Sequence, residues 1–207
     1  MSEATNNQAV GYYDGVLDVY VAVCTTEGTA AAAPVYDDPE LMGASMEVNI
    51  TPVYKEGKVY ASNALQRHKK KIDAYEVKLK LDQIRAAVRD KIFGRVKDKN
   101  GVSIISDSNE APEVAIGFAM TLDDDSKELW WIYRGKFAES DTSVKTQEDK
   151  IEYQHPTVAA RFERRLHDKA LAATVSTADL GANSAVESGW FTKVYEPEFE
   201  ASAAAQE

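Results

Sequence analysis

Cysteine is almost missing from this 207-residue chain, with Cys24 the one example. A single cysteine rules out an intramolecular disulfide and any cysteine-rich zinc site. Cys24 ends the apolar run VLDVYVAVC, where a thiol reads as a small buried hydrophobe rather than a nucleophile. Histidine is scarce as well: His68, His155 and His167. No two of them stand four apart, and no His-Glu-x-x-His is present. His68 sits in a basic run that would repel a cation, and His155 precedes Pro156 and reads as a polar strand residue. There is no GxSxG, no glycine-rich phosphate loop and no GxGxxG. Acidic residues are plentiful, but nothing in their spacing pairs two as acid and base. The reading is a chain with no catalytic, metal-binding or cofactor-binding residues.

A surplus of positive charge is missing too. The 24 basic residues face 34 acidic ones, for a net charge of -10. Binding nucleic acid by neutralising phosphates needs the reverse balance on one face. A like-charged surface that DNA passes without sticking remains compatible. No apolar run approaches the roughly 20 residues that span a bilayer. The opening MSEATNNQAV has neither the basic start nor the apolar centre of a signal peptide. The expectation is a protein made and folded in the cytoplasm, with no membrane partner.

What the chain does contain is alternation. Hydrophobic residues make up 44% of it, and they recur with the period of two that marks half-buried strands. Val16 to Cys24 reads as a first strand and Met46 to Tyr54 as a second, with Pro52 marking an edge or bulge. KEGK around Gly57 reads as a turn into a short strand at Val59. The run RHKKK, Arg67 to Lys71, reads as a solvated loop or a strand edge guarded by charge. Tyr75 to Leu81 alternates cleanly, and Asp82 then caps a helix, QIRAAVRDKIF, that Gly94 ends.

Val102 to Ile105 reads as a short strand. Glu113 to Leu122 has one bulky face (Val114, Ile116, Phe118, Met120) and one small face (Ala115, Gly117, Ala119), which implies close approach of the helix or a neighbouring subunit. Asp123 to Asp125 reads as a hairpin tip, since it lacks the spaced ligands of a calcium loop. Leu129 to Phe137 is apolar on both faces, with Leu129, Trp131, Tyr133 and Phe137 set against Trp130 and Ile132, and reads as a strand covered on both sides. Ile151 to Leu166 follows, bent at Pro156. A short helix is expected near Asp168 to Ala173, and a last strand at GWFTKVYEPEF with Trp190 as its apolar anchor. The fold class is mainly β, a β-sandwich or barrel with one flanking α-helix.

Several of these pieces occur in a telling order: YYDGV; NITP at Asn49 to Pro52; VKLKLDQI opening a helix that ends in FG; APEVAIGF at Ala111 to Phe118; WWIYRGKF at Trp130 to Phe137; and KTQEDKIEYQHPTVAARF at Lys145 to Phe162. The ordered set covers most of residues 11 to 166 and resembles the major tail proteins (tail tube proteins) of long-tailed, non-contractile bacteriophages. The resemblance implies one tail-tube domain, expected over residues 1–196; the residues themselves read as a long loop at 25–44, where Gly28 and Pro34 bracket the alanines, and as a disordered acidic tail at 197–207. It implies a structural virion protein, not an enzyme, that forms stacked hexameric rings in the host cytoplasm and then lines the virion's tail tube. The implied partners are copies of itself, a tape measure protein in the lumen, tail terminator and distal tail proteins at the ends, and double-stranded DNA passing without specific binding.

Inter-subunit contact is expected at Tyr36, Leu41 and Met42 in the long loop, and at Ser140, Asp141, Thr142, Lys145 and Thr146 in the later one. The first three are apolar or aromatic side chains that a loop would hold in water unless they meet another subunit or, an equal alternative, cover this subunit's own core. Two alternatives stand beside this reading. One is a stand-alone β-barrel module binding a small ligand or glycan on a platform of Trp130, Trp131, Tyr133 and Trp190. The other is the tube protein of a secretion system.

Overall fold

Strict alternation at Tyr75 to Leu81 and Glu113 to Leu122 predicts two half-buried strands, and both lie inside the main sheet of the computed structural model. The structure describes residues 11–61, 64–139, 153–180 and 184–198, with backbone alone at 58–61, 64–67 and 184. The strands are β1 (Tyr13–Val16), β2 (Val19–Thr26), β3 (Val35–Tyr36), β4 (Glu40–Gly43), β5 (Ser45–Ala61), β6 (Ala64–Leu81), β7 (Val96–Lys97), β8 (Ser103–Ile104), β9 (Val114–Leu122), β10 (Lys127–Ala138), β11 (Thr157–Glu163) and β12 (Ala172–Ser176). The helices are short: α1 (Ala86–Ile92), α2 (Thr177–Leu180) and α3 (Ser184–Gly189). The fold is mainly β, as expected. The expected flanking helix is α1, and two further short helices, α2 and α3, follow it among the described residues.

The main sheet is antiparallel, with ten strands among the described residues, and runs β3-β2-β9-β10-β11-β6-β5. β4 pairs with β2, while β5, separated from β4 by Ala44 alone, pairs with β6. One stretch of chain therefore joins both ends of the strand order, and the sheet curls into a barrel-like wall. Asp82 N–H bonds the Ala44 carbonyl at 2.9 Å and seals that seam. Asp82 is thus no helix cap. Helix α1 starts later, with Arg85 at its N-cap and no side-chain cap, and Gly94 at φ 64° ends it as expected.

Two apolar clusters lie on opposite faces of the wall. The inner one takes Val19 and Val21 from β2, Val77, Leu79 and Leu81 from β6, Phe118 from β9 and Phe162 from β11, plugged by Val88 and Ile92 of α1. The outer one gathers Ala22, Ala115, Ala119, Leu129, Trp131 and Tyr133 under Trp190 and Val194. So the small face of β9 meets Trp131 and the chain's own C-terminal segment. It meets neither α1 nor, in the folded chain, a neighbour. That segment is no strand. After α3 it runs irregularly, and its ties are specific: the Trp131 indole donates to the Trp190 carbonyl at 2.9 Å, and the Tyr133 hydroxyl to the Tyr195 carbonyl at 2.7 Å. Upstream, the stretch expected as a short helix, Asp168 to Ala173, is irregular as far as Leu171 and then enters strand β12, which pairs with Glu128–Ile132 of β10.

β10 changes phase midway. Between Ile132 and Gly135 it advances three residues while β9 retreats two, from Ile116 to Val114. Arg134, at φ 42°, is the extra residue of this bulge. The slip turns Phe137 into the inner cluster, although simple alternation places it with Trp131. Pro156 does not interrupt β11. It stands just before β11, and its carbonyl accepts from Leu81 N–H at 3.1 Å. Ile151 and Glu152 lie outside the described residues.

Candidate assembly surface

The largest departure from the expected pattern is the hairpin β5–β6. KEGK makes no turn. Glu56 lies opposite Lys70 and Gly57 opposite Lys69, and the ladder continues to Ala61 opposite Ala64. RHKKK is therefore part of a strand. β11 covers β6 from Lys80 back to Ala74, and no further. Beyond Ala74 no third strand pairs with the hairpin among the described residues, and apart from Arg164, which donates to the Ile72 carbonyl at its base, it runs on for about ten residues, roughly 30 Å at the ordinary strand rise. Within this arm Lys55 reaches Asp73 at 2.9 Å, His68 and Lys70 lie near Glu56 at 3.5 and 3.6 Å, and the Lys70 ammonium sits 4.1 Å from the centre of the Tyr54 ring. Among the described residues no carboxylate pairs with Lys69 or Lys71.

β5 also ends the strand order, so its outer edge carries backbone N–H and C=O groups with no ladder partner among the described residues. Such an edge is a template for another strand. A second unpartnered surface is the ribbon β7–β8 after α1. Val96 (66%), Val102 (55%) and Ile105 (64%) stand mostly in water there. Asp90 ties the ribbon to α1. Its carboxylate is buried, accepts from the Ser103 hydroxyl and lies 3.4 Å from Lys97 Nζ. The Ser103 hydrogen bond, with help from Lys97, outweighs burial and holds its carboxyl below the usual range.

The expected contact residues separate. The segment read as one long loop at 25–44 contains β3 and β4, both zipped to β2. Tyr36 is half-buried against the outer cluster, and burial pushes its hydroxyl well above the ordinary tyrosine value. Leu41 is half-buried opposite Tyr20. Met42 is 0% exposed inside the inner cluster. Burying such a side chain is worth roughly 1.5–3 kcal/mol, so the chain's own core holds it and it has no surface for a neighbour. Val35, at 55% exposed, is the large apolar residue this segment presents. Ser140, Asp141, Thr142, Lys145 and Thr146 lie outside the described residues, as do 199–207.

The aromatic platform does not exist as a surface. Trp131, Tyr133 and Trp190 are buried, and Trp130 stacks on Phe118 within the inner cluster. The residues that resemble a charged site pair with one another. An open cleft of about 330 Å³ is lined by Glu113, Arg134, Lys136, Arg161 and Glu163. Arg134 bonds Glu113 at 3.1 Å, Arg161 lies 3.5 Å from Glu163, and Lys136 bonds Glu110 at 3.1 Å. Asp124 is engaged by Ser126 at the β9–β10 tip. Burial raises the Cys24 thiol, which donates to the Thr26 carbonyl at 3.1 Å. His155 lies 3.4 Å from Asp82.

A barrel-like antiparallel sheet with an open edge and a projecting ribbon suits a part that fits against other parts. A family model for phage tail tube protein matches residues 20–161. The chain belongs to the phage tail tube protein family. No curated protein matches it. The matched span runs from β2 to the middle of β11, so it includes the whole arm, α1, the β7–β8 ribbon and the bulged strand β10 of this tail tube protein. It stops before β12 and the C-terminal segment that covers the outer cluster.

Proposed function

We propose that this tail tube protein, as one tail-tube domain over residues 1–196, self-assembles into hexameric rings that stack into the hollow tube of a long, non-contractile phage tail. The observation that carries this reading is the open β5 edge in a chain of this family. Joining that edge to a neighbour's sheet satisfies its backbone groups and closes a ring, and closure removes the aggregation hazard of an exposed edge. Head-to-tail stacking of rings gives the open filament that a tail requires. The tape measure protein occupies the lumen during assembly, and the terminator and distal tail proteins cap the ends. The role is structural rather than catalytic.

Charge fits a conduit. Six copies at -10 each carry -60 per ring. Acidic residues lining the lumen repel the phosphate backbone, so DNA slides rather than binds. The glycan-module alternative loses its support, because the aromatic residues it needs are core.

Negative-stain microscopy of the purified protein over a range of concentrations, with light scattering alongside, tests the reading. Rings or hollow tubes are expected. A dispersed monomer at every concentration, even when seeded with preformed tail tubes, overturns it.

A further inference from the structure

The tip of the β7–β8 ribbon carries the one Asn-Gly pair of the chain, Asn100–Gly101. Asparagine is labile, most of all where the next backbone nitrogen can reach the side-chain amide carbon and close a five-membered ring. A glycine in that next position leaves the approach clear, because it has no Cβ. Asn100 and Gly101 are both exposed, and a Cβ at Gly101 would meet no heavy atom within 4 Å. The other two asparagines among the described residues are placed differently. Asn49 lies within β5 before Ile50, and its Oδ1 accepts from the Thr51 hydroxyl. Asn109 precedes Glu110 and donates to the Ile104 carbonyl at 2.9 Å.

The turn around Asn100 is held lightly. The Asp98 carbonyl accepts from Gly101 N–H at 3.1 Å, and Asp98 N–H donates to the Val102 carbonyl at 2.9 Å, with Gly101 at φ 82°. This is a three-residue hairpin loop, a type I turn closed by a left-handed glycine. The Asp98 carboxylate accepts from the N–H groups of Asn100 and Val102, each at 2.8 Å, and from Asn100 Nδ2 at 3.3 Å. Ring closure requires the Gly101 hydrogen bond to open. Two residue pairs zip the ribbon behind the turn, Val96 with Ile104 and Lys97 with Ser103. A ribbon that short is marginal in water, so its exposed tip opens at little cost in free energy.

We propose that Asn100 is a modification site, converted in the folded chain to isoaspartate and aspartate through a succinimide. Base removes the proton from Gly101 N. That nitrogen attacks Asn100 Cγ, a C–N bond forms, and Nδ2 takes up a proton and leaves as ammonia. Water then opens the ring. Breaking the bond from Gly101 N to the main-chain carbonyl carbon of residue 100 gives isoaspartate, and breaking the bond to Cγ gives aspartate. The net reaction consumes one water and releases one ammonia. Either product takes the net charge from -10 to -10 minus 1, or -11, and sets a second carboxylate beside Asp98. Isoaspartate also inserts a carbon into the main chain of the turn, so the Asp98 hydrogen bonds lose their register and the ribbon loosens. The Ser103–Asp90 bond that anchors the ribbon to α1 lies just beyond the altered turn.

The test holds the purified folded chain in H₂¹⁸O buffer at mildly alkaline pH, beside a sample in urea, and follows the peptides by mass spectrometry. Isoaspartyl methyltransferase labelling marks the rearranged product. The peptide holding residue 100 is expected to exchange its –NH₂ for –¹⁸OH in both samples, with isoaspartate in excess and the reaction slowing as pH falls. Asn49 and Asn109 should keep their amides in the folded chain. Limited trypsin digestion should cut the aged folded chain at Lys97 sooner than the fresh one. An Asn100 amide that survives in the folded chain while urea exposes it to loss would overturn the proposal, because the turn then shields it. Aspartate without isoaspartate would overturn the succinimide route. Equal trypsin sensitivity of aged and fresh chains would refute the loosening. None of these outcomes bears on tube formation, so the modification stands or falls apart from the tube reading.

Discussion

Gly117 lies beneath the indole of Trp131 across the β9–β10 ladder, so close that a Cβ at Gly117 would come within 2.8 Å of the ring. This contact explains the small face of β9. The largest buried side chain of the outer cluster needs a floor without side chains, and the sequence AIGFA supplies it. Gly117→Ala is expected to push the indole toward Trp190 and Phe191 and to cost about 1–3 kcal/mol. A lower midpoint in thermal or urea melts, with altered tryptophan fluorescence, checks it. An unchanged midpoint would mean that the ring moves freely and that the face is small for another reason.

Arg165 is 1% exposed, and its guanidinium sits 4.1 Å from the centre of the Tyr133 ring. It bonds Asp168 at 3.1 Å and Glu196 at 2.7 and 2.8 Å, so one buried cation pins the C-terminal segment to the sheet. Removing it leaves Asp168 partly buried without its counter-charge. Arg165→Ala should cost about 3 kcal/mol, with Glu196→Gln costing about 1. Proteolysis should release the C-terminal segment first in Arg165→Ala. Equal protease resistance in variant and wild type would contradict the clasp.

Two carboxylates make stability depend on acid. At Asp90 the Ser103 hydrogen bond lowers the pKa. At Asp168 burial works upward, but the Arg165 hydrogen bond and charge prevail and the pKa falls. A carboxyl lowered in the folded state stabilises above its unfolded pKa, roughly 3.9, and that stabilisation is lost as pH falls through the lower folded value. The melting temperature should therefore hold from neutral pH to about 5 and drop below about 4. Asp90→Asn should melt lower than wild type at pH 7 and lose less between pH 5 and pH 3. A wild-type midpoint that stays flat to pH 2 would refute the assignment.

The segment from Thr29 to Asp38 bears on assembly as well as on folding. Deleting it removes β3 and the Tyr36 packing, so loss of polymerisation would be confounded with loss of stability. Val35→Glu is the cleaner probe because Val35 is 55% exposed. It should leave the melt within about 0.5 kcal/mol of wild type and reduce tube formation, scored by light scattering. Tubes forming at the wild-type concentration would take Val35 out of the interface.

How far the fold was readable depended on where the deciding partner lies. Tyr75–Leu81 and Glu113–Leu122 announce themselves because burial on one face writes alternation into the strand itself. Gly57 misled because a glycine among charges is ordinary turn chemistry. What overrides it is pairing with Lys69, twelve residues away, which local sequence does not display. The Arg134 bulge was hidden for the same reason: Glu113 and the Arg164 carbonyl, just outside β9 and β11, hold it from far along the chain. Irregular backbone tied by Trp131 and Tyr133 to single carbonyls carries no period, so the C-terminal segment passed as a strand. Met42 showed its apolar character plainly but not whose core it joins. Of the assembly surface, the basic run was visible and its place on a projecting arm was not.

The most direct test of the account is the mass per axial repeat of assembled tubes, measured by scanning transmission electron microscopy. Six chains of 22.8 kDa, or 6 × 22.8, give about 137 kDa per ring around a hollow core. That value, with a stain-filled lumen seen end-on, is the expected result. A solid filament, or a repeat mass matching no ring of six, would contradict the account.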